Sequence, residues 1–135
     1  MKEPKSKSAD SRKRGGALIY VVDDEPMLLE LALVILEPMG YTVEIFESAE
    51  SALLAFQAAD PKPALIITDY AMHKMTGLQL AEACRRIRPS EKFLLISGTV
   101  GTETLDSFPV GPDRFLAKPY RAKELIGAVK SLLED

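Results

Sequence analysis

Four side chains of this 135-residue chain have the types and the placement to act together: Asp23, Asp24, Asp69 and Lys118. Each closes or follows an apolar run. Ala17 to Val22 leads into the acidic pair, Ala64 to Thr68 into Asp69, and Arg114 to Ala117 into Lys118–Pro119. Short apolar runs rich in β-branched residues and bounded by turn signals read as buried strands. In an open α/β sheet the carboxyl ends of the strands open on one crevice. Three carboxylates and one ammonium, far apart in sequence, are therefore expected to converge. Packed carboxylates repel one another unless a cation or a proton intervenes. The set predicts a divalent metal, with the lysine available for an incoming anion.

Magnesium is a hard cation, bound through one or two carboxylates together with water and phosphate oxygens. A carboxylate can also attack phosphorus to give an aspartyl phosphate. Phosphoryl transfer depends on positioning and charge neutralisation more than on elaborate covalent chemistry. Ser97 closes a further apolar run, Lys92 to Ser97, and its hydroxyl could donate to a phosphoryl oxygen. No histidine or cysteine is well placed for catalysis. His73 reads as an exposed loop residue and Cys84 as a small core residue.

The elements that must position these groups alternate. After Asp24, Pro26 suits the first turn of a helix, Glu25 favours its positive end, and an apolar run extends from Met27 to Leu36 before Pro38 and Gly40. Leu28, Leu29, Leu31, Leu33 and Leu36 cannot all face one side, so an exposed leucine is expected there. Tyr41 to Phe46 alternates as a second strand, and Ser48 is a candidate N-cap for a helix to about Ala58. Asp60 to Pro63 is a turn, a helix runs from about Gly77 to Arg88, and a last helix covers about Arg121 to Leu133. Between Gly98 and Asp113, glycines and prolines leave room for only about two turns of helix. Strand and helix thus alternate in the manner of a doubly wound parallel sheet with helices on both faces.

Four stretches, Val21–Glu25, Asp69–Met72 with Gly77 beyond, Ile96–Gly98 and Phe115–Pro119, stand in an order and spacing that resembles the response-regulator receiver domains of two-component signalling. The resemblance covers residues 17–134. It implies a five-stranded flavodoxin-like sheet of order 2-1-3-4-5, here with a shortened or irregular fourth helix. It implies Asp69 as the phosphoacceptor, with Asp24 holding Mg²⁺ (or Mn²⁺) directly and Asp23 assisting. The backbone carbonyl of Ala71 would complete the protein's share of the coordination. Lys118 would pair with the phosphoryl group, and Lys118–Pro119 would be cis. Ser97 and Phe115 would be the switch residues, the first moving to the phosphoryl oxygen and the second swinging in behind it. The implied donor is a histidine kinase or a histidine phosphotransfer protein. The implied activity is self-catalysed phosphorylation and dephosphorylation, not turnover of a separate substrate.

Three departures from the family pattern stand out. His73 occupies a position where proline is usual, Phe115 lacks a hydroxyl, and the 98–113 segment reshapes the face through which such domains commonly form homodimers. Two rivals are an aspartate-nucleophile phosphatase and a receiver-fold interaction module that never carries phosphate. The phosphatase would want a second acid two positions after Asp69, where Ala71 stands.

Charge and length bound the rest. Residues 1–16 carry six Lys/Arg against two Asp/Glu and read as a disordered basic arm. Residues 17–135 read as one receiver domain. This remainder carries 11 Lys/Arg against 18 Asp/Glu, which argues against direct nucleic-acid binding by the core. A single cysteine allows no intrachain disulfide, and no apolar stretch reaches the ~20 residues needed to cross a bilayer. A cytoplasmic protein is expected.

Overall fold

The computed structural model describes residues 16–98 and 113–134. Five strands, β1 (Leu18–Val22), β2 (Thr42–Phe46), β3 (Leu65–Asp69), β4 (Phe93–Ser97) and β5 (Arg114–Ala117), form one sheet of order β2-β1-β3-β4-β5. All four pairings are parallel. The helices are α1 (Pro26–Leu36), α2 (Ala49–Ala58), α3 (Gly77–Ile87) and α4 (Ala122–Leu133). The fold and strand order implied by the resemblance are therefore present. The expected irregular helix at 98–113 falls almost wholly on residues 99–112, outside the described residues, as does the basic arm up to residue 15. Gly16, assigned to that arm, is already buried, because the next residue enters the sheet: the Ala17 carbonyl accepts from Thr42 N at 2.9 Å.

Burial explains the sequence pattern. The interior strands β3 and β4 are buried along their whole length and read as unbroken apolar runs. Along β1 the pleat sends alternate residues to opposite faces. Ile19 and Val21 join Leu29, Leu36, Leu125 and Val129 beneath α1 and α4. Tyr20 and Val22 join Phe56, Leu80 and Cys84 beneath α2 and α3. Each such side chain contributes roughly 1.5–3 kcal/mol by leaving water.

Helix ends follow local chemistry. Ser48 Oγ accepts from Ser51 N at 3.1 Å and starts α2, as its sequence position predicts. Thr76 and Gln79 form a reciprocal capping box at the start of α3. Lys62 closes α2 by donating to the carbonyls of Phe56 and Ala59 at 2.7 and 2.8 Å, where the helix leaves acceptors without partners. In α1, Leu29, Ala32 and Leu36 are buried, while Leu31, the exposed leucine, faces outward together with Met27 and Val34. Element ends move by one residue from the sequence reading. The most telling shift is at β3, which includes Asp69 because Asp69 still pairs with Ile96.

Candidate functional site

All four chemistry-bearing residues lie at the C-terminal edge of the sheet. Asp23 and Asp24 follow β1, Asp69 is the last residue of β3, and Lys118 follows β5. One carboxylate oxygen from each aspartate lies within 4.8 Å of the other two. Lys118 Nζ stands 3.4 Å from Asp69 Oδ1 and 3.8 Å from Asp23 Oδ2.

The backbone holds this arrangement from several sides. Asp23 Oδ1 accepts from Glu25 N at 2.9 Å, which fixes its carboxylate at the start of α1. Tyr70 N donates to the Ile96 carbonyl at 2.9 Å and so extends the β3–β4 ladder past Asp69. Gly77 N donates to the Tyr70 carbonyl at 2.9 Å and closes the loop that follows. Lys118 N donates to the Ser97 carbonyl at 3.1 Å, joining the ends of β4 and β5. The Lys118–Pro119 peptide is cis.

Gly77 is required by space. A Cβ there would collide with the Asp69 carbonyl oxygen and lie 2.9 Å from Leu95 Cδ1. The first residue of α3 is thereby pressed onto the last residue of β3.

Electrostatics mark the same place. Asp23 and Asp69 are buried, at 7% and 8% exposure. Burial foremost, helped by Asp69 and Asp24, pushes the Asp23 carboxyl up to about 6 against the pull of Glu25 N–H and Lys118. Asp69 is also raised, by burial first and Asp24 second, although Lys118 and the Tyr70 N–H work against the shift. Three carboxylates face one lysine there, a deficit of positive charge by residue type alone. Three converging oxygen donors with that deficit fit a hard divalent cation.

The remaining expected residues are distributed as follows. Ser97 is buried at 2% exposure at the end of β4. Phe115, on β5, is half-buried against Leu78, Leu95 and Tyr70. Ala71 is exposed, two residues beyond Asp69.

Two neighbours were not read from sequence as part of the site. His73 is exposed, as expected of a loop residue, yet its Nδ1 lies 3.6 Å from Asp24 Oδ2. Its place four positions after Asp69 was the available signal. Tyr120 has its phenol raised by burial and then by the charges of Asp23 and Asp69. Its position directly after Lys118–Pro119 was the corresponding signal.

Comparison with known proteins agrees with this geometry. The sequence matches the response regulator receiver domain over residues 19–130. It is 30% identical over 121 residues to the phosphate regulon transcriptional regulatory protein PhoB of Pseudomonas aeruginosa, covering 87% of this chain and 52% of that protein. It is 29% identical over 118 residues to the DNA-binding response regulator MtrA of Mycolicibacterium smegmatis, covering 85% and 50%. The chain therefore spans about half the length of these curated relatives. Among solved structures, a CheY-like receiver domain protein from Methanospirillum hungatei superposes with a TM-score of 0.81 at 28% identity, covering 88% of this chain and 94% of that one. The response regulator TrrA of Thermotoga maritima, solved in complex with Mg²⁺-BeF, gives 0.77 at 31% identity, covering 87% and 99%. With its sheet order, its acidic crevice and this match over most of its length, the chain belongs to the response-regulator receiver domain family.

Proposed function

We propose that this chain accepts a phosphoryl group on Asp69 from a phosphohistidine donor and signals by a conformational switch. The observation that carries the proposal is the convergence of three carboxylates with Lys118 on one edge of the sheet. In the transfer, an Asp69 carboxylate oxygen bonds to phosphorus as the donor's P–N bond breaks, and that electron pair leaves on the imidazole nitrogen. Asp23, Asp24, Asp69 and the Ala71 carbonyl are the residues that would hold Mg²⁺ (or Mn²⁺), which supplies charge neutralisation to the phosphoryl oxygens. Lys118, 3.4 Å from Asp69 before transfer, pairs with a phosphoryl oxygen afterwards. Ser97 donates its hydroxyl to another of those oxygens. Phe115, already half-buried against Leu78 and Leu95, follows by ring packing alone.

The donor is a histidine kinase or a histidine phosphotransfer protein. Its docking is supported by the apolar strip Met27, Leu31 and Val34, which continues into a hollow lined by Leu28, Leu31, Pro119 and Tyr120 beside Lys118. Residues 17–135 act as the receiver domain in the cytoplasm, with residues 1–16 as a basic arm. Among the described residues no helix is long and apolar enough to cross a membrane. The acidic receiver itself makes no direct contact with nucleic acid.

Intact-mass measurement with acetyl phosphate or phosphoramidate and Mg²⁺ tests the reading. The wild-type chain should gain one phosphoryl unit and Asp69→Asn none. Equal gain by both proteins would remove Asp69 as the acceptor, and no gain by either would leave an interaction module.

A further inference from the structure

Resting on the ion site just proposed, we infer that His73 adds an imidazole nitrogen to it, giving this domain a preference for borderline first-row divalent cations over Mg²⁺. Three observations carry this. His73 Nδ1 stands 3.6 Å from Asp24 Oδ2, and the imidazole is 93% exposed and open to an ion from solution. For metal–ligand bonds near 2.0–2.1 Å, adjacent ligand atoms of one ion lie roughly 3.0–3.4 Å apart. The pair is thus a few tenths of an ångström from the edge of a coordination polyhedron.

The backbone of the loop is fixed beside Asp24. Met75 N donates to the His73 carbonyl at 2.7 Å, and Lys74 adopts a left-handed φ of 70°, so residues 73–75 form a tight turn. Asp24 and His73 also line one cleft of about 320 Å³, together with Glu47, Glu50 and Lys74. The imidazole stands outside the three carboxylates whose oxygens lie within 4.8 Å of one another, so it would join an ion held by Asp24 by turning its side chain from the solvent side.

The donor chemistry sets the consequence. An all-oxygen site suits Mg²⁺, whereas imidazole favours Zn²⁺, Ni²⁺ and Cu²⁺ and leaves Mg²⁺ almost unaffected. His73 gains nothing for the hard ion and adds a bond for the softer ones. It is a selectivity residue at the mouth of the site, separate from the groups that meet the phosphoryl moiety.

The chain has one histidine, so a single imidazole signal reports on the site. The experiment uses the untagged full chain and titrates Zn²⁺ and, separately, Mg²⁺. It follows imidazole ¹⁵N shifts by NMR and affinities by calorimetry. Zn²⁺ should move the His73 Nδ1 signal and Mg²⁺ should not. His73→Ala should weaken Zn²⁺ by about tenfold or more while leaving the Mg²⁺ affinity unchanged. Asp24→Asn should abolish the Zn²⁺-induced shift of the ring.

Equal Zn²⁺ affinity in wild type and His73→Ala, with Mg²⁺ still binding, overturns this inference alone. So does a ring shift that persists in Asp24→Asn, which marks an isolated surface histidine. Failure of the wild type to bind either ion overturns the ion site itself and this inference with it. His73 is almost fully exposed, so its replacement leaves the packed core untouched.

Discussion

At the scale of single residues, the molecule contains buried acids of two kinds. Asp23 and Asp69 are raised by burial in the crevice where three carboxylates meet Lys118. Glu91 is raised by burial to about 7 at the opposite end of β4, where no chemistry is assembled. Its Oε1 accepts from Arg88 Nη1 at 3.3 Å, and its Oε2 has no hydrogen-bond partner among the described residues. Because the folded value lies above the ordinary value of 4.5, the folded state holds this proton more tightly than the unfolded chain does. Its contribution to stability is therefore complete below about pH 4.5 and lost as the pH rises through about 7. We expect Glu91→Gln to stabilise the fold at pH 8 by up to about 3 kcal/mol and to have little effect at pH 4.5. Urea midpoints of both proteins at the two pH values check this, and equal shifts at both would count against it. The contrast also shows what sequence can reveal. Asp23, Asp24, Asp69 and Lys118 were legible because each punctuates the end of an apolar run. Glu91 was not, since its burial arises when Arg85 and Arg88, at the C-terminal end of α3, fold over it.

At the scale of elements, the strands were legible to within a residue because burial on both faces leaves unbroken apolar runs in β3 and β4. Ser48 was legible as a cap for a similar local reason. Gly77 was only half legible. Its place before a helical pattern could be read, but the need for glycine comes from the Asp69 carbonyl, which approaches from a strand eight residues earlier. Gly77→Ala should cost roughly 1–3 kcal/mol, because the neighbour that must yield is backbone. It should also slow phosphorylation by acetyl phosphate, since the strand that moves carries Asp69. Thermal denaturation and labelling rates measure the two effects. Unchanged stability would show that α3 can withdraw without cost. His73 belongs at this scale as well, for it stands in the tight turn at 73–75 and comes near Asp24 only across the fold, not through any run or repeat.

At the scale of the whole molecule, alternating patterns led to a parallel sheet covered on both faces, whereas the order β2-β1-β3-β4-β5 was supplied by family resemblance. Apolar periodicity says which elements are strands but carries little about which strand lies beside which. An exposed leucine on α1 was anticipated, because its leucines exceed what one face can bury, but the strip that Leu31 forms with Met27 and Val34, and its continuation toward Lys118, needed the folded molecule. Val34 is 69% exposed and lies outside the acidic crevice. Val34→Asp should slow transfer from a cognate phosphohistidine protein by about tenfold while leaving labelling by acetyl phosphate unchanged. Parallel loss in both assays would instead mean that the crevice had been damaged. The sheet order has one more consequence. Asp23, Asp24 and Asp69 are mounted on β1 and β3, strands with a neighbour on each side, whereas Lys118 hangs from β5, a four-residue strand that among the described residues pairs in the sheet with β4 alone. Fraying of that outermost ribbon would draw Lys118 away and leave the acids in register, so the crevice would lose the lysine beside Asp69 while the rest of the sheet stayed folded.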